Sequence, residues 1–228
     1  YLMHPAAVSY GMDFLERGFA HVRVNSPLYD EQLFDVRIEN LIEDKHQEQG
    51  RQGYSAVLVP NGAAPCATAE VRLAGTKADP PTRRGDELGD KSAPLVSATR
   101  ENMEALRKTG CKAFTYRWNA DHEMSTYLRE RSLMAETYSR GEYANPSFVL
   151  GISNWVLASN AAMNPWVHME TTSRNFAPIP QGTTLVGEME VKDLFDKKGH
   201  EFVDALINIF DVESSQCFAS IELRAIYK

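Results

Sequence analysis

ATAEVRLA, residues 67–74, and ASIELRAI, residues 219–226, are nearly the same strand written twice, 152 positions apart. Each reads Ala, a small hydroxyl residue, an apolar residue, Glu, an apolar residue, Arg. Eight residues can match by chance, so the match needs support from what surrounds it. Working outward from the first copy, LFDVRIENLIED (33–44) alternates Phe34, Val36 and Ile38 against Asp35, Arg37 and Glu39, the period of a half-buried strand. GYSAVLVPNG (53–62) is another strand, closing on the Asn61-Gly62 turn signal. FAHVRVNSPLYD (19–30) alternates as well. Before them, HPAAVSYGMDFLERG (4–18) has Pro5 in a first turn, Val8, Met12 and Leu15 at helical spacing and Gly18 as a stop, which predicts one helix.

Working outward from the second copy gives the same order. NPSFVLGISNWVLASNAA (145–162) predicts a longer helix with Pro146 in its first turn. Strands follow in WVHMETTSRNF (166–176), in the stretch after Pro180 and in HEFVDALINIFD (200–211), where Phe202, Ala205, Ile207 and Ile209 are apolar with a slip near Ala205. The reading pairs His4-Pro5 with Asn145-Pro146, Gly53 with Gly199 as openers of the third strand, and Glu70-x-Arg72 with Glu222-x-Arg224. Order, turns and final strand agree together, which points to an internal duplication. The fold class is α+β, each copy a helix followed by an antiparallel sheet. Residues 1–75 form the first repeat, without a lead-in strand, and 76–110 a linker and short helix. Residues 111–228 form the second domain, led by the strand candidate CKAFTYRW.

Composition bounds the function. The 228 residues are 43% hydrophobic and 24% charged, an ordinary globular balance. A net charge of −7 argues against nucleic acid as a partner. No run of roughly 18 apolar residues predicts a membrane span. The cysteines, Cys66, Cys111 and Cys217, are odd in number and lack C-x-x-C spacing, which suggests a reducing, cytoplasmic setting and buried thiols. Phosphate-binding glycine loops, zinc spacings and nucleophile elbows are missing from the sequence, so it implies no metal and no cofactor.

Helix then four strands, twice, resembles the double hotdog, two domains each with a long central helix wrapped by an antiparallel sheet. VHMETTSRNFAPIPQGTTLVGEMEVKDLFDKKGHEFVDALINIFD (167–211) resembles the MaoC-like acyl dehydratases and (R)-specific enoyl-CoA hydratases, with its V-H strand, Pro/Gly turn, long strand, K-G-H turn and Val/Asp-rich strand. The resemblance implies acyl thioesters of coenzyme A or acyl carrier protein as ligands, and assembly as a homodimer or larger homo-oligomer through sheet edges. Hydratases of the group use an Asp and a His in D-x-N-x-x-H before the central helix, sharing proton transfers through one water. The helix start polarises the thioester carbonyl, which makes Asn145 a substrate-binding candidate.

This sequence departs from that motif: Tyr127 and Ser132 stand near where the Asp and His would fall. The nearest acid–imidazole pair, Asp121-His122, is adjacent in sequence, and adjacent side chains do not share a face. His122 is either a base on a rearranged loop or a polar helix start. Glu136 is either a carboxylate that activates water, as in hotdog thioesterases, or part of a solvated helix face. His168 either faces the acyl slot or is a satisfied core histidine. Lys198, Gly199 and His200 either meet a coenzyme A phosphate or form a plain turn. Three readings stand: hydration or dehydration, thioester hydrolysis, and a non-catalytic acyl-thioester-binding subunit.

Overall fold

The computed structural model describes residues 1–43, 51–74, 78–118, 142–163 and 165–228. The first repeat comprises α1 (His4–Tyr10), α2 (Met12–Arg17), β1 (Gly18–Val24), β2 (Phe34–Glu43), β3 (Arg51–Pro60) and β4 (Ala67–Leu73). Then come α3 (Arg100–Thr109), β5 (Phe114–Arg117), α4 (Pro146–Asn160), β6 (Val167–Asn175), β7 (Thr184–Lys197), β8 (His200–Asp211) and β9 (Cys217–Ile226). No helix among the described residues is long and apolar enough to cross a membrane.

The described strands join one antiparallel sheet in the order β2-β3-β4-β1-β6-β9-β8-β7-β5. Read outward from its centre, β1-β4-β3-β2 runs one way and β6-β9-β8-β7 the other, with β5 added at one edge. The register carries the sequence repeat into three dimensions. His21 pairs with Glu70 on one side and Thr172 on the other, and Thr172 pairs with Glu222. The two glutamates of the duplicated strand are therefore related by a local two-fold axis through the His21–Thr172 pair. That register corrects one predicted equivalence. Arg72 pairs with Gly53, and Arg224 with Asp204, so Gly53 corresponds to Asp204 rather than to Gly199. Gly53 lies inside β3, where a Cβ would stand 2.4 Å from the Val71 carbonyl oxygen. Gly199 sits in the β7–β8 turn at φ 81, beside Lys198 at φ 54.

The two helices differ. α4 is continuous: Pro146 suits its first turn, and the Asn145 side chain accepts from the Phe148 N–H at 3.0 Å. Phe148, Ile152, Val156 and Leu157 are buried against the second half of the sheet. Gly187 of β7 lets α4 come close, since a Cβ there would stand 2.5 Å from Val156 Cγ2. Asn160 ends the helix by bonding both the N–H and the carbonyl of Lys112. The first-repeat helix, expected in one piece, breaks into α1 and α2 at Gly11, whose φ 51 and ψ −125 only glycine adopts readily. Ile38 and Leu41 of the edge strand β2 are about half exposed, against the alternation that placed Ile38 in the core.

Two strands also differ from their expected phase or length. β1 stops at Val24, because Asn25 and Ser26 donate instead to the Cys66 carbonyl. In β8, Val203, Ala205, Ile207 and Ile209 share the helix side. Phe202 is on the other face, stacked on Phe195 at 4.9 Å. The apparent slip at Ala205 accompanies a bulge between Val191 and Asp193 on β7.

The glycine- and proline-rich segment between the repeats is held rather than loose where it is described. Arg84, Gly85 and Asp86 donate their N–H groups to the buried Glu188 carboxylate at 2.8, 2.7 and 3.1 Å. The Gly89 N–H donates to the Ala113 carbonyl, and the Ala113 N–H donates to the Glu87 carbonyl. All three cysteines are buried, and burial pushes the Cys111 and Cys217 thiols up to about 11 and about 12, which makes both inert.

Candidate functional site

A cavity of about 580 Å³ lies between the repeats, beside α4. The first repeat contributes Leu2, Met3, Val22, Val24, Leu58 and Ala67. The second contributes Leu150, Gly151, Asn154, Trp155 and Ala158 from one side of α4, then Trp166, His168 and Thr171. The volume falls in the usual range of small-ligand pockets, and apolar side chains dominate the walls. At roughly 30 Å³ per water-sized unit it has room for on the order of twenty non-hydrogen atoms.

His168 enters this cavity because of a local irregularity. It pairs with Ala225, and Glu170 pairs with Arg224, so Met169 is a bulge residue. In a regular strand His168 and Glu170 would share a face. The bulge separates them. His168 turns toward α4, while Glu170 turns to the outer face, where it meets His21 at 2.6 Å, Arg23 at 2.8 Å and Arg224 at 3.4 Å. Burial pushes the Glu170 carboxyl up, but the hydrogen bonds from Arg23 and His21 outweigh it, and the net shift is downward. The charged groups thus gather on the outer face, and the helix face keeps uncharged ones.

Inside the cavity His168 is fully engaged. Its Nδ1 lies 2.9 Å from Asn154 Oδ1, and its Nε2 meets Thr171 Oγ1. Trp166 stacks against the ring at 6.3 Å between centroids. Burial lowers the imidazole to about 4, so it is neutral at ordinary pH. A neutral ring has one donor and one acceptor. With Oδ1 as its partner, Nδ1 carries the proton and donates, and Nε2 faces the Thr171 hydroxyl. His168 therefore both faces the slot and has its polar atoms satisfied, which joins the two alternatives the sequence left open.

The other candidates are placed as follows. Asp121, His122 and Glu136 lie outside the described residues. Asn145 is buried and its side-chain oxygen is used in capping α4. It stands about 13 Å along the helix axis from Asn154, given nine residues of α-helical rise. Lys198, Gly199 and His200 form the exposed end of the β7–β8 hairpin. The strand order puts that hairpin two to three strands, on the order of 10–14 Å, to the side of β6. Asn154 and Thr171 were missed. The available signal was a Ser153-Asn154 pair in the middle of an apolar helix, where amides are disfavoured without a purpose.

No protein-family model and no curated protein matches the chain. Solved structures do. A conserved hypothetical protein of Mycobacterium tuberculosis described as a double hotdog is similar over 99% of this chain and 79% of its own, with a TM-score of 0.55 and 12% identity. A protein of Novosphingobium aromaticivorans assigned as a thioesterase matches over 98% and 83%, with a TM-score of 0.50 and 14% identity. A MaoC-like dehydratase of Phytophthora capsici covers 95% and 72%, at a TM-score of 0.47 and 12% identity. The chain has the double hotdog fold, and its structural neighbours are hotdog proteins that include thioesterases, dehydratases and hydratases.

Proposed function

We propose that this protein binds acyl thioesters of coenzyme A or acyl carrier protein and is hydratase- or dehydratase-like in its chemistry. The acyl chain lies in the cavity between the repeats. One observation carries the reading: an apolar cavity of about 580 Å³, walled by α4 and by strands of both repeats, with its polar groups gathered at His168. Such a space suits a long or bulky hydrocarbon chain with one polar end. Asp121, His122 and Glu136 are the proposed acid–base residues, and Lys198, Gly199 and His200 the proposed contacts to the carrier's phosphates. Association of two copies through the sheet edges β2 and β5 goes with this assignment, and light scattering on the eluting protein measures it.

A second reading, a binding subunit without catalysis, is favoured by the engagement of both His168 nitrogens, which leaves that imidazole no vacant position to act as a base. Incubation with enoyl- and saturated acyl-CoA thioesters separates the cases. Loss of enoyl absorbance without thiol release is the expected result. Thiol release would move the assignment to thioester hydrolysis at Glu136. Binding with neither reaction would leave the subunit reading. Failure to bind any acyl thioester would remove both.

A further inference from the structure

Asn154 has an amide with two ends, and the cavity decides what each can do. Its Oδ1 is occupied by the Nδ1–H of His168 at 2.9 Å. Among the described residues its Nδ2 makes no hydrogen bond. Asn154 lies on the side of α4 that lines the cavity, between Gly151 and Ala158, whose small side chains leave the space beside the amide open. The walls around it are largely apolar, with Leu150 and Trp155 on the same helix and Trp166 from the segment before β6. An amide N–H₂ that faces an open cavity is free to meet an acceptor on a ligand that enters it.

The orientation of that amide is set from behind. The Asn154 amide is placed with Oδ1 toward Nδ1, and Thr171 Oγ1 lies against Nε2 on the far side of the ring. The proton on Nδ1 then holds Oδ1 of Asn154 and turns Nδ2 away from the ring. Thr171 is on a strand at the centre of the sheet and Asn154 on the helix, so a fixed strand-to-helix distance sets the direction of the donor.

We propose that the Asn154 amide nitrogen is the hydrogen-bond donor to the thioester carbonyl oxygen of a bound acyl group, and that His168 and Thr171 are positioning residues that aim it. This rests on the acyl-thioester reading above and specifies it: the recognised ligand is an apolar chain bearing a carbonyl acceptor at the His168 end of the cavity. A pre-aimed amide donor is also placed to stabilise negative charge that develops on that oxygen in either hydration or hydrolysis. The neutrality of His168 fits, because a charged imidazolium would donate from both nitrogens and turn the Thr171 hydroxyl away.

The test compares two coenzyme A derivatives of one chain length: a saturated acyl thioester and the corresponding S-alkyl thioether, which has a methylene in place of the carbonyl. Calorimetric titration of the full chain gives both affinities. Wild type is expected to prefer the thioester by roughly three- to tenfold, the span of one neutral hydrogen bond. Asn154→Leu keeps the side-chain volume and is expected to bring that ratio to one while thioether binding persists. Asn154→Asp, which offers acceptors only, is expected to do the same, and guards against a folding defect peculiar to leucine. Thr171→Val is expected to reduce the ratio without weakening the thioether, a change that loss of packing alone would not produce.

Equal affinity of wild type for thioester and thioether overturns the proposal. It would mean that the amide presents its oxygen to the cavity, or that the carbonyl binds elsewhere. A preference that survives Asn154→Leu overturns it too. Absence of binding by either compound is a different failure, because it removes the acyl-thioester reading and this donor with it.

Discussion

His168 sits in the cavity as a neutral ring because burial lowers its imidazole to about 4, against 6.5 in an unfolded chain. Between those values the unfolded chain binds more protons than the folded one. Stability is therefore full above about pH 6.5 and falls as pH drops toward 4, by about 3 kcal/mol from this group. Denaturant titrations from pH 7 to 4 are expected to show this loss in wild type and a flatter profile in His168→Gln. Glu188 is the other decisive residue. It is 1% exposed and holds the backbone N–H groups of Arg84, Gly85 and Asp86. Hydrogen bonds to a charged group are the stronger kind, and Glu188→Ala orphans three donors. A loss of about 3 kcal/mol is expected, with new protease cleavage at Arg83 and Arg84 as the local readout. Neither role could be read from the sequence. Glu188 looks like one of several strand glutamates until the chain a hundred residues earlier folds back on it. The histidine was legible as a candidate, but its partners Asn154 and Thr171 were not, because a bulge at Met169 decides which way it points.

At the scale of elements, most boundaries followed from alternation and caps. The strands in 33–44, 53–62, 67–74 and 200–211 lie within a residue or two of their expected ends. The misses have local causes. Gly11 divides the first helix, because it takes a backbone conformation that helical spacing cannot reveal. The β8 phase was misread because Phe202 is apolar on both accounts: its stacking on Phe195 looks, in sequence, the same as core burial. Gly187 sets the spacing of α4 from the sheet. Gly187→Ala is expected to cost 1–3 kcal/mol, in the range of overpacked cores, since Val156 is β-branched and cannot easily turn aside. Chemical denaturation measures the loss, and Val156→Ala in the same chain is expected to recover part of it.

At the scale of the whole molecule, the β1–β6 pairing turns two repeats into one sheet, and the cavity takes its walls from both. Cooperative unfolding is the expected consequence. All three tryptophans, Trp118, Trp155 and Trp166, belong to the second repeat, so fluorescence follows that half while circular dichroism follows the whole chain. The two denaturation curves are expected to coincide; a separate earlier step in the dichroism alone would mean that the first repeat melts independently. The sequence by itself determined the α+β class, the duplication and the order of helix and strands, because alternation, turn residues and helix starts are short-range signals. The local two-fold axis, the place of the cavity and the Thr171–His168–Asn154 chain were decided only by the tertiary structure. Those features depend on which strand edges meet and on one bulge, and pairing across 150 residues leaves no local mark in the chain.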